Sequence, residues 1–229
     1  MISYKPMSDK PSVRSPWFWV PSLYFAQGIP YVAVMIVSVL MYKRLGVSNT
    51  DIALYTSWLN LPWVIKPFWS PFVDLLKTKR WWVATMQLLI GAGLAGVAFT
   101  IPTTFFFQAS LAVFWLLAFS SATHDIAADG FYMLALDSHE QAFFVGIRST
   151  FYRIAIIAGQ GVLVMFAGFL ENSTGNIPLA WSVTFFILGG LFLALFLYHR
   201  YILPLPKGDK PSATVTPSTI LKEFFATFA

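Results

Sequence analysis

The chain has 229 residues, of which 57% are hydrophobic, 18% aromatic and only 11% charged. A soluble domain carries about a quarter charged residues, so apolar runs of near membrane length mark a polytopic membrane protein. The net charge of +5 lies in short basic clusters between those runs, which speaks against nucleic acid as a partner, and the absence of cysteine excludes disulfide and thiol chemistry.

Six helices are predicted, giving an all-α, six-transmembrane-helix bundle over residues 17–203. The first runs from about Trp17 to Met41. It is too long for the core of a secretory signal and lacks a small-residue cleavage site, so it reads as a retained helix. The second, from about Asp51 to Ile65, is shorter than the roughly 20 apolar residues a span needs unless it continues through "KPFWSP". The third covers Trp81 to Ile101, and the fourth, Thr104 to Leu136, is overlong. The fifth covers Phe143 to Leu170 and the sixth Pro178 to Tyr201. None of the six shows strand-like alternation, and helices satisfy their own backbone groups in lipid.

All but Lys43 and Arg44 of the fifteen Lys and Arg residues fall on one side of this pattern. The tail of residues 1–16 and the segment 204–229 are therefore both expected in the cytoplasm. The latter begins with the polar "LPLPKGDKPSATVTPS" and turns into the start of an amphipathic helix with Ser218 or Thr219 as N-cap. That pattern is unfinished at Ala229, so the expectation is the amino-terminal half of a larger transporter, with a six-helix carboxyl-terminal half as its partner.

Polar residues inside the apolar runs are the candidate functional groups. "FAQGIPYVAV" puts Gln27, Gly28 and Pro30 in the first helix, where proline removes a backbone bond and a kink is expected. Asn60, Gln87, Gln108 and Gln160 stand in later helices, and some of them should line an aqueous cavity. Gly91, Gly93, Gly96, Gly159 and Gly161 read as close helix contacts. In "PFWSPFVDLLKTKRWW" two prolines end the second helix, and Asp74 precedes the bases Lys77, Lys79 and Arg80. Asp74, Lys77 and Arg80 can form a gating loop through charge pairs and helix-dipole contacts. The other reading of this loop is an ordinary basic anchor at the membrane surface.

"SSATHDIAADGFYM" is the least expected stretch, because Asp125 and Asp129 stand four residues apart on one face of the fourth helix. An ionised side chain at the bilayer centre costs about 2.5–3.5 kcal/mol on the lenient insertion scale. The pair should therefore face the bundle interior, where burial favours the neutral form and a carboxyl can carry a proton. Arg153 is the expected counter-ion and His124 a relay. The alternative is a helix that outruns the membrane: Thr104 to Leu136 would be roughly 50 Å long against a core of about 30 Å, leaving the pair at the headgroups.

"VIKPFWSPFVD", "SATHDIAAD" and "FYRIAIIAGQG", in this order, resemble the AmpG-type muropeptide permeases of the major facilitator superfamily. The matching residues are Lys66, Trp69, Ser70, Pro71 and Asp74; Asp125, Ile126 and Asp129; and Tyr152, Arg153, Gly159 and Gly161. The chain departs from the family in "DGFYMLAL", with Tyr132 and Leu134 where a base and an acid are common. The resemblance implies proton-coupled import of a muropeptide-like or other amphipathic sugar–peptide solute across the bacterial inner membrane. Lys66, Gln27, Asn60, Tyr152 and Arg153 would serve as counter-ions or solute ligands. No cofactor and no metal is expected. The competing readings are a transporter for a different small solute and an intramembrane aspartyl or metal-dependent enzyme. The latter is disfavoured because His139 and His199 are remote from His124 and neither H-E-x-x-H nor G-x-S-x-G is present.

Overall fold

A computed structural model describes residues 14–211 and Phe224, and among them it contains helices and no strand. The chain order is α1 (Pro16–Arg44), α2 (residues 49–76), α3 (Lys79–Thr100), α4 (Phe106–Ala135), α5 (Ser138–Thr174) and α6 (Ile177–Ile202). All except α2 are long and apolar enough to cross a membrane, which makes five such helices. The amphipathic helix expected after Ser218 lies outside the described residues apart from Phe224.

The second element departs from expectation. It does run on through "KPFWSP" to Leu76, but not as one regular helix. Short α-helices Asn49–Thr56, Leu61–Ile65 and Ser70–Leu76 are joined by 3-10 turns at Ser57–Asn60 and Lys66–Phe68. Pro62, Pro67 and Pro71 each lack a donor for the i→i−4 ladder, and each stands within the first two positions of a new segment.

The break expected in α1 takes a subtler form. Just after Pro30 the helix widens into a π turn, Ala33–Val37, without ending. α5 carries a matching π turn, Gly159–Leu163. The two helices pack along each other through glycine: a Cβ on Gly28 would lie 2.7 Å from Ala155 Cβ, and one on Gly159 2.1 Å from Val32 Cγ1. Only hydrogen fits at either point.

α3 packs between α4 and α6, and α1 lies against α4 and α5. The apolar core has two parts. Near the start of α1, Trp19 meets Phe131 edge to face at 5.3 Å; toward the other end Phe114 meets Phe185 at 5.7 Å. At that second end Arg44 Nε donates to Glu171 at 2.9 Å and Trp181 Nε1 donates to the same carboxylate at 2.7 Å. One buried acid thereby ties α1, α5 and α6 together, and its charge is fully hydrogen-bonded.

Gly159→Leu should lower the stability of the full-length protein in detergent by about 1–3 kcal/mol through overpacking. Thermal unfolding should show the loss, and adding Val32→Ala should recover part of it. No recovery would mean that the α1–α5 contact is not where the strain arises.

Candidate functional site

The two aspartates of α4 share one helix face but meet different surroundings. Asp125 is buried at 7% exposure, whereas the Asp129 side chain is 43% exposed. Nineteen residues separate Phe106 from Asp125, which is about 28 Å of helix. Asp125 thus lies toward the α1-start end of the bundle, and protein packing rather than depth removes it from water.

Asp125 Oδ2 stands 3.9 Å from Lys66 Nζ. Lys66 reaches it because Pro67 breaks α2 there and the 3-10 turn Lys66–Phe68 turns the backbone. Gln27 of α1 and Trp63 of α2 face the same carboxyl. Asp125 Oδ1, Gln27 Oε1 and Trp63 Nε1 are nevertheless buried and without hydrogen-bond partners among the described residues. Tyr31 packs edge to face on Trp63 at 5.2 Å. The Gln27 and Trp63 side chains still act on this carboxyl as hydrogen-bond donors do, from just beyond ideal geometry.

Asp129 is held by a second constellation. Tyr24 Oη donates to its Oδ1 at 2.9 Å, and Arg148 Nη1 stands 3.3 Å from the same oxygen. Arg148 also donates to Tyr24 Oη at 3.0 Å, and its guanidinium lies over the rings of Tyr24 and Tyr132 at 5.1 and 5.0 Å. Tyr132 cushions this base from α5 and donates its own hydroxyl to the Gln141 carbonyl.

The expectation that Arg153 neutralises the aspartates is therefore corrected. Lys66 and Arg148 are their partners, and Arg153 forms no ion pair among the described residues. The reason is helical phase: residues four apart share a face, but five residues turn the direction by about 140°. Arg148 and Tyr152 point one way and Arg153 another. Arg153 still lines the cavity of about 390 Å³ bounded by Tyr24, Gln27, Asp129, Arg148 and Tyr152.

His124 is occupied elsewhere. Its Nε2 meets Gln87 Nε2 at 3.1 Å, Gln87 Oε1 meets His199 Nδ1 at 3.0 Å, and His199 Nε2 meets Ser22 Oγ at 3.0 Å. This chain of polar groups links α4, α3, α6 and α1, and all but Ser22 are fully buried. An amide between two imidazoles presents one donor and one acceptor, so it fixes which nitrogen of each ring carries the proton. No local spacing signals such a contact, since His124 and His199 are 75 positions apart in the chain. Asn60 sits at the first break of α2, and its side chain makes no hydrogen bond among the described residues.

At the turn between α2 and α3, Asp74 pairs with Lys79. Thr78 caps α3, and this places Lys79 on the buried side of the first turn, where its stem passes against Gly130. Lys77 instead lies over the Trp81 ring at 5.9 Å, and Arg80 donates to the Arg200 carbonyl.

Comparison with known proteins places this geometry. The BT1 family model matches residues 25–222, and the chain belongs to that family. It is 29% identical over 181 residues to a Rickettsia conorii protein named as transporter AmpG 4, covering 75% of this chain and 41% of that protein. It is 28% identical over 153 residues to the anhydromuropeptide permease of Escherichia coli strain K12, covering 63% of this chain and 30% of the permease. An uncharacterised protein of Schizosaccharomyces pombe is 28% identical over 145 residues, 57% of this chain and 28% of the yeast protein. The chain thus spans less than half the length of these relatives.

Asp129→Asn and Arg148→Gln should be coupled by about 0.5 kcal/mol or more in a double-mutant cycle read by thermal unfolding. The cycle of Asp129→Asn with Arg153→Gln should be additive. Coupling in the second cycle and none in the first would reinstate Arg153 as the counter-ion.

Proposed function

We propose that this chain is the amino-terminal six-helix unit of a secondary transporter of the major facilitator type, importing an anhydromuropeptide-like sugar–peptide together with protons. α2, although broken, serves as the sixth span, both ends of the chain face the cytoplasm, and a second unit of similar size closes the cavity. Membership of the BT1 family and the permease relative support transport and the class of solute. The short coverage of those relatives supports a second unit.

The observation that carries proton coupling is the buried Asp125 carboxyl, loosely paired with Lys66 and faced by Gln27, which also forms part of the cavity wall. Protonation of Asp125 releases Lys66; loss of the proton restores the ion pair. A solute whose polar groups satisfy Gln27, Trp63 or Lys66 binds differently to these two states, and that difference is the coupling free energy. Asp129 is already engaged by Tyr24 and Arg148 and acts as part of the cavity wall. Tyr152 offers an aromatic face to a sugar ring. His124 is bound into the chain to His199 and has the lesser part in proton transfer.

Vesicles containing the full-length protein separate net uptake from exchange. Asp125→Asn, which mimics the protonated carboxyl, should abolish gradient-driven uptake of labelled anhydromuropeptide while leaving solute exchange across the membrane. Wild-type uptake should collapse when an uncoupler is added. Net uptake by Asp125→Asn that an uncoupler does not touch would remove the proton from the mechanism.

A further inference from the structure

A second cavity, away from the solute site, lies where α1 begins, α3 begins, and α4 and α6 end. It encloses about 560 Å³, and four cations line it: Arg14, Arg80, Arg200 and Lys207, against an apolar wall that includes Leu134 and Leu203. None of these four cations forms an ion pair among the described residues. Arg14 and Arg200 both press on Arg80 as like charges. The carboxylate that reaches this corner, Asp209, directs its two oxygens to the backbone N–H groups of Lys79 and Arg80. Arg80 Nε is buried and has no hydrogen-bond partner among the described residues, while its terminal nitrogen is held by the Arg200 carbonyl.

A guanidinium fixed by a neighbouring carbonyl, with an unsatisfied buried N–H and two further arginines around it, has among the described residues only the Asp209 carboxylate, itself bound to backbone N–H groups, to offset three arginines. Its height is also telling. Arg80 is the second residue of α3, Leu134 is in the last turn of α4, and Arg200 is in the last turn of α6, so the cavity sits at the level where membrane-length helices leave the hydrocarbon. The combination of converging cations and an apolar flank fits a phosphate ester that carries acyl chains, more than a freely diffusing anion.

We propose that this cavity is a binding site for the headgroup phosphate of an anionic phospholipid. The phosphate lies among Arg80, Arg200 and Lys207 with Arg14 closing over it, and the acyl chains run along the Leu134 side. Occupancy joins α3, α4, α6 and the segment that follows α6 through one shared anion.

The test uses delipidated full-length protein in mild detergent, titrated with phosphatidylglycerol, with phosphatidylcholine and with inorganic phosphate, and followed by native mass spectrometry. Phosphatidylglycerol should bind about ten-fold or more tightly than phosphatidylcholine. The double variant Arg200→Gln/Lys207→Gln should lose that preference, and Arg200→Lys/Lys207→Arg should keep it. Four results would each overturn the proposal: equal affinity for the two lipids; a preference that survives neutralisation; equal loss in the neutral and charge-preserving variants; or binding of inorganic phosphate without phosphatidylglycerol.

Discussion

The ion pair between Asp125 and Lys66 is the constraint around which the bundle is organised. Two unit charges about 4 Å apart attract by about 4 kcal/mol at an effective dielectric of 20, against a desolvation penalty of several kcal/mol for an ion buried by protein packing. Lys66 is partly exposed and screening reduces the attraction, so the pair is balanced rather than tight. A strongly satisfied carboxylate such as Glu171, with Arg44 and Trp181 both upon it, serves instead as a fixed joint.

The irregular geometry of α2 follows from the Asp125–Lys66 pairing. A regular helix through residues 49–76 would set Lys66 by its 3.6-residue phase alone. The prolines divide the element into segments with their own directions, and the turn at Lys66–Phe68 carries the ammonium to α4. The same prolines rob α2 of the uniform apolar length that its neighbours have. Local helical regularity has been exchanged for the placement of a single cation.

Much of this was legible in the residues, and the misses have physical causes. The helix limits, α2 apart, followed from hydropathy, and small residues in apolar runs pointed to the close contacts at Gly91, Gly93 and Gly159, though Gly161, expected with them, faces open space. The aspartates were conspicuous because charge inside an apolar run is costly. Lys66 stood among the expected counter-ions, but Arg148 did not, since a cation on another helix is identified by helix phase and crossing angle. Arg153 was favoured over Arg148 by its place in a motif, and a rotation of about 140° between the two decided otherwise. Lys79 was overlooked because nothing in "KTKR" says which base turns inward until Thr78 is seen to cap the helix. The link from His124 through Gln87 to His199 joins three distant segments, and no spacing rule reaches that far.

The glycine contacts of α1 with α5 carry a mechanical implication. With Val32 seated against Gly159 and Ala155 against Gly28, the two helices have no room to slide or roll over each other, and their π turns lie side by side along the seam. They behave as one plank. The distance between Gln27 and Tyr152, which both border the cavity of about 390 Å³, is thereby set by backbone contact rather than by side-chain rotamers.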